Sequence, residues 1–93
     1  MTAGESLARE VVVHGAVQGV MFRESCRREA DALGATGWVR NEYDGTVSAH
    51  VEGTPEAVAG MVAWLRHGPR HARVDRVDVV DVPAQGLGRF EVR

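Results

Sequence analysis

TGWVRNEYDGTVSAHVE, residues 36–52, reads as two strands folded back on one another. Thr36–Asn41 and Thr46–Glu52 are joined by Glu42-Tyr43-Asp44-Gly45, in which Asp-Gly marks a hairpin turn. In the second strand Val47, Ala49 and Val51 alternate with Thr46, Ser48, His50 and Glu52, which predicts one apolar face and one wet face.

A helix is expected on each side of this hairpin. Upstream, Phe22, Cys26, Ala30 and Leu33 recur at helical spacing and predict a helix over Phe22–Leu33, with Glu24 in its favourable first turn and Gly34 as the left-handed stop. Downstream, Thr54 can cap a helix that starts at Pro55. Val58, Met61, Val62 and Leu65 form its apolar stripe, and Gly68-Pro69 ends it. Outside the helices, Leu7–His14 carries the β-branched run Val11-Val12-Val13 and is closed by Gly15. Val77 and Val79 alternate with Asp78 and Val80, and Phe90 and Val92 alternate within Gly88–Arg93. The order β-α-β-β-α-β plus a short terminal strand is that of an α+β fold, the ferredoxin-like split β-α-β sandwich, with two helices on one face of an antiparallel sheet.

The 93 residues, 44% hydrophobic and 26% charged, suffice for one domain over residues 1–93, with the polar start Met1 to Ser6 frayed. A formal charge of −2 excludes a general electrostatic attraction to nucleic acid or anionic membranes, so any anion site must be local. The lone Cys26 rules out an intramolecular disulfide, and Met1 to Gly15 lacks the pattern of an export signal, so the expected location is cytoplasmic. The longest stretch without a polar side chain, Ala57 to Leu65, is far short of the roughly 20 residues of a membrane span. No apolar stripe is left over for self-association, which predicts a monomer.

In a split β-α-β arrangement strands one and two run parallel with strand three between them, so their C-terminal ends share one edge. The loop leaving strand one, with Arg23 just beyond it, therefore meets Asn41 at the end of strand two. Gly15-Ala16-Val17-Gln18-Gly19-Val20 runs into a helix N-terminus, where backbone N–H groups can converge on an anion, although such a loop is also an ordinary strand-to-helix connection. The Walker and dinucleotide patterns are both absent. Arg23 is a cation at the helix end that disfavours cations unless an anion lies between, but it also fits a solvated surface position paired with Glu24.

The stretch Gly15-x-Val17-Gln18-Gly19-Val20-x-Phe22-Arg23, followed by Gly37-Trp38-Val39-Arg40-Asn41-x-x-x-Gly45-x-Val47 and then Gly53, resembles both sequence patterns of the acylphosphatase family. The resemblance runs from the first strand to Phe90-Glu91-Val92-Arg93. It implies hydrolysis of acyl phosphates without a cofactor or metal. It also implies Arg23 and Asn41 as the catalytic pair and Gly15, Ala16, Val17, Gln18, Gly19 and Val20, with Arg23, as the phosphate-binding residues. Met21 falls at a variable position of the pattern, and Cys26 stands where relatives often carry Thr.

The implied chemistry suits these residue types. An acyl phosphate expels a carboxylate without needing a proton, so its hydrolysis asks for phosphate binding and an aimed water more than for a strong acid. Asn41 cannot act as a base, so the water's proton goes to bulk, to another group or, the favoured reading, to a phosphoryl oxygen of the substrate. The expected partner is therefore a small-molecule acyl phosphate, with no nucleic acid and no membrane. The alternative is a non-catalytic phosphate- or ligand-binding module, since this fold also hosts binders.

Other arrangements fit less well. Cys26 lacks the Arg six positions on that a cysteine phosphatase needs, and it lies on the apolar stripe. His67 and His71 are separated by the helix-breaking Gly68-Pro69, which argues against a metal pair. His14 and His50 read as incidental, the latter on a wet strand face. Glu42 and Asp44 could hold Mg²⁺ with a phosphate, but the hairpin already explains Asp44. Trp38 and Trp64 read as packing residues.

Overall fold

The computed structural model describes residues 6–93. Of the stretch Met1 to Ser6 expected to fray, residues 1–5 lie outside the described residues. The elements are β1 (Leu7–Ala16), α1 (Phe22–Leu33), β2 (Thr36–Asn41), β3 (Val47–Gly53), α2 (Pro55–Leu65), β4 (Arg73–Val82) and β5 (Phe90–Val92). They form one five-stranded sheet in the order β4-β1-β3-β2-β5. β3 pairs antiparallel with β1 and β2, so those two run parallel to one another. This is the ferredoxin-like arrangement, with one refinement: β5 lies parallel to β2, which makes the sheet mixed. Alternation alone cannot distinguish a parallel from an antiparallel edge strand.

The core lies between sheet and helices. β1 contributes Val11 and Val13, β2 Val39, and β3 Val47, Ala49 and Val51, all essentially inaccessible. Phe22, Cys26 and Ala30 of α1 and Val58, Met61, Val62 and Leu65 of α2 pack on them, as the apolar stripes require. Leu33 stays partly exposed, but its side chain sits over Gly60 of α2, where a Cβ would approach to 3.0 Å.

Three expectations need correction. β1 does not stop at Gly15: a bulge between His14 and Gly15 carries the pairing with β4 on to Ala16 and Arg73. Gly15 adopts φ 135°, and a Cβ there would meet the Arg73 carbonyl oxygen at 2.0 Å, so glycine is required by this close approach of strands. The same bulge separates Val74 from Val77 by three residues, breaking the period of two, which hides the first part of the ten-residue β4 from an alternation reading.

The third correction concerns the face expected to be wet on β3. His50 is fully buried and Glu52 is 3% exposed. The ring of Trp38 stacks on His50 with centroids 6.0 Å apart, while His50 Nδ1 meets Glu10 at 3.1 Å and Nε2 meets Glu52 at 2.7 Å. The segment between β4 and β5 folds over them. There the amides of Gln85, Gly86 and Leu87 all donate to the Glu52 carboxylate. Burial pushes this carboxyl's pKa up, but the donated hydrogen bonds and His50 together outweigh it and hold the pKa below its ordinary value.

Candidate active site

The parallel run of β1 and β2 brings their C-terminal ends to the same end of the sheet. Val13 and Asn41 register with Val47 from opposite sides, so β1 and β2 lie about 10 Å apart across β3 at this end of the sheet. α1 starts above the gap. A cleft of about 280 Å³ opens there, lined by Val17, Gly19, Met21, Phe22, Arg23, Glu24, Asn41 and Val92. Arg23 and Asn41, far apart in sequence, therefore face one space.

The connection into α1 divides into an anchored part and an open part. Gly15 and Ala16 belong to the β1–β4 ladder, and the Val17 side chain is buried in the core. Gln18 points outward and its Nε2 donates to the carbonyl oxygens of Glu42 (2.8 Å) and Thr46 (3.0 Å), tying the loop to the hairpin that carries Asn41. Gly19 turns with φ 76°. Met21 then begins the helix in a left-handed conformation (φ 62°, ψ 27°), and no side chain caps the first turn. The amides of that turn are the ones a helix leaves without intrahelical acceptors, and they lie beside the cleft. Of the six loop residues expected to bind phosphate together with Arg23, the structure thus places Val17 and Gly19 on the cleft and commits Gly15 and Ala16 to the sheet.

The arrangement around Arg23 answers the question its position raised. Glu24 is engaged by Arg27 and Arg28, and its carboxyl pKa is held below the ordinary range by the hydrogen bond from Arg27. Arg23 therefore keeps no Asp or Glu side-chain partner among the described residues. Its Nη1 donates instead to the Arg93 carbonyl oxygen at 3.1 Å. Because β5 runs parallel to β2, it ends at the same edge as Asn41, and the Arg93 amide is itself bonded to the Val39 carbonyl. The Arg93 main-chain oxygen orients the guanidinium, and the remaining donors of the fork stay available.

The neighbouring ionisable groups have other tasks. Asp44 accepts from the amide and hydroxyl of Thr46, which closes the hairpin. Glu42 is paired with Arg40 at 2.7 Å. His14 faces Asp78 and Arg76 on the β4 side. His67 bonds the Gly68 carbonyl, and no cluster of three or more His, Cys, Asp or Glu suited to a metal occurs among the described residues. Cys26 is buried, and desolvation, reinforced by Glu29, pushes its thiol up to about 12, which is unsuited to a nucleophile. Trp64 packs edge-on against Phe22, under the cleft.

Sequence reading missed three contributors. Gln18 reads from sequence only as a source of a backbone amide, and the roles of Arg93 and Val92 follow from the parallel pairing of β5. No periodicity signals any of these.

The chain is similar to known proteins over nearly its whole length. The family model described as Acylphosphatase matches residues 9–92. An acylphosphatase of Nocardioides sp. is 60% identical over 86 residues, covering 92% of this chain and 87% of the relative. One from Thiobacillus denitrificans is 56% identical, covering 87% of this chain and 90% of the relative. Among solved structures, that of an acylphosphatase from Coxiella burnetii superposes with a TM-score of 0.93 at 36% identity and full coverage of both chains.

Proposed function

The chain belongs to the acylphosphatase family, and from that premise we propose that it hydrolyses acyl phosphates to a carboxylate and inorganic phosphate, using Arg23 and Asn41. The observation that carries this reading is the shared cleft. An uncapped helix N-terminus, a cation without an Asp or Glu partner and a carboxamide that does not titrate all border one space.

Arg23 binds the phosphoryl oxygens with the donors not directed at Arg93. The amides of the loop and first helical turn bind them from the other side, so negative charge is neutralised without a metal. Gly15 and Ala16 act through the sheet that fixes the start of the loop, while the 17–20 part provides the cradle. Asn41 holds a water opposite the leaving oxygen. The water oxygen bonds to phosphorus, the bond from phosphorus to the bridging oxygen breaks, and the carboxylate departs with that electron pair. A phosphoryl oxygen takes the water's proton. Positioning and fixed charge supply the rate enhancement, as phosphoryl transfer requires.

The protein acts as a monomeric, cytoplasmic enzyme of one domain, with a small molecule as its partner. The experiment is hydrolysis of benzoyl phosphate in ¹⁸O-labelled water with a chelator present, using wild type and Asn41→Ala. The proposal expects label in the phosphate and turnover about 100- to 1000-fold lower in the variant. Label in the benzoate, or full activity of folded Asn41→Ala, contradicts it. Phosphate binding without turnover by the wild type supports the non-catalytic alternative.

A further inference from the structure

Building on the reading of the cleft as an acyl phosphate site, we propose that Met21 and Val92 form an apolar shelf that selects substrates with a flat, apolar acyl group over acetyl phosphate. The cleft's lining is of two kinds. Arg23 and Asn41 are polar. Met21 and Val92 are exposed apolar residues, and Val17 and Phe22 are buried ones. Met21 is 67% exposed and Val92 is 41% exposed, so neither side chain is held by the core.

Backbone conformation adds an independent reason to assign Met21 a role outside folding. It is the one non-glycine residue with positive φ among the described residues. The other end of the same helix uses Gly34 for a similar conformation, φ 78°. Glycine adopts this geometry without steric cost, whereas a side chain at such a position is strained. The helix-initiating contact of residue 21 is its carbonyl accepting from the Ser25 amide at 3.0 Å, which any residue can provide. The Met21 side chain neither caps the helix nor enters the core, yet it borders the cleft two residues before Arg23.

The substrate's shape determines what meets that shelf. Its acyl carbon is one oxygen away from phosphorus, so a phosphoryl group seated at Arg23 places the acyl substituent against an adjoining wall. A cleft of about 280 Å³ is larger than a phosphoryl group and one water fill. A methyl group leaves the shelf wet, while a phenyl ring covers it. The unbranched thioether of Met21 adapts to an aromatic edge or face. Val92 reaches the rim because it shares a strand face with the buried Phe90 and lies one pleat beyond it.

The test is the ratio of kcat/KM for benzoyl phosphate to that for acetyl phosphate in wild type, Met21→Gly, Met21→Leu and Tyr43→Ala. Glycine suits the backbone at position 21, and the ratio cancels any common effect on loop order. Tyr43 is fully exposed at the hairpin tip and does not line the cleft, so it controls for loss of a surface aromatic. The proposal expects the ratio to fall roughly 10-fold in Met21→Gly, mainly through KM for benzoyl phosphate, and to stay near wild type in Met21→Leu and Tyr43→Ala. An unchanged ratio in Met21→Gly, or an equal fall in Tyr43→Ala, overturns the shelf while leaving acyl phosphate hydrolysis standing. A folded wild type that hydrolyses neither substrate overturns both.

Discussion

The two helices of this protein begin in opposite ways. At α2, Thr54 accepts a hydrogen bond from the Ala57 amide at 3.1 Å and Pro55 occupies the first turn, so the orphan donors are reduced from within. At α1, left-handed Met21 stands where a capping side chain belongs, no side chain caps the turn, and a cation follows at Arg23. One end is completed by its own sequence. The other is left incomplete and electropositive, a condition that an anion relieves. The comparison teaches that a local rule of helix stability is followed where the helix only supports the core and departed from where it borders the cleft.

Removing the charge at the open end should have the largest effect. Arg23→Ala is expected to lose about 100- to 1000-fold in kcat, equivalent to about 3–4 kcal/mol of barrier, while its circular dichroism and urea midpoint stay near wild type. A large drop in stability with the residual activity of a partly folded protein would instead make Arg23 structural and erase the contrast with α2.

A smaller loss should follow from loosening the loop. Gln18→Ala deletes both bonds to the Glu42 and Thr46 carbonyls, so the loop and Asn41 lose their common register. Displacements on the scale of 1 Å can cost up to about 100-fold, and a 10-fold lower kcat/KM is expected, read from steady-state kinetics. Wild-type kinetics would show that the sheet alone holds the two sides together.

Acid sharpens the contrast from a distance. The Glu52 carboxylate holds the segment that leads into β5, and β5 ends at the carbonyl that orients Arg23. Its folded pKa lies below the ordinary value of 4.5, so its stabilisation is complete above that value and lost as pH falls through the folded pKa. Urea midpoints should therefore decline with acid below about pH 4.5 in wild type, and less steeply in Glu52→Gln. Parallel slopes for the two proteins would contradict this.

The smallest effect belongs to the closed end. Thr54→Ala is expected to lower unfolding free energy by about 1 kcal/mol with kcat unchanged. A change in kcat would mean that the two helix ends are coupled rather than separate in role.

Much of this contrast was legible in the sequence. The cap at Thr54, the stripes of both helices and the Asp44-Gly45 turn follow from local rules, and they yield the observed helix starts. The meeting of Arg23 and Asn41 also followed, because parallel first and second strands bring their exits together whatever the detailed packing. Contacts between distant segments were not legible. His50 and Glu52 read as wet positions because nothing local to β3 reveals that Trp38 and Glu10 will meet His50 and that the 85–87 amides will bond Glu52. The bulge at Gly15 disguised half of β4, and the parallel edge pairing that delivers the Arg93 carbonyl to Arg23 leaves no periodic trace.

The most direct test of the account is titration of ¹⁵N-labelled protein with inorganic phosphate, followed residue by residue through its amide resonances. The account predicts saturable shifts at residues 17–24, no comparable shifts at residues 55–58, and loss of the response in Arg23→Ala. Equal shifts at both helix ends, or an undiminished response without Arg23, would contradict it.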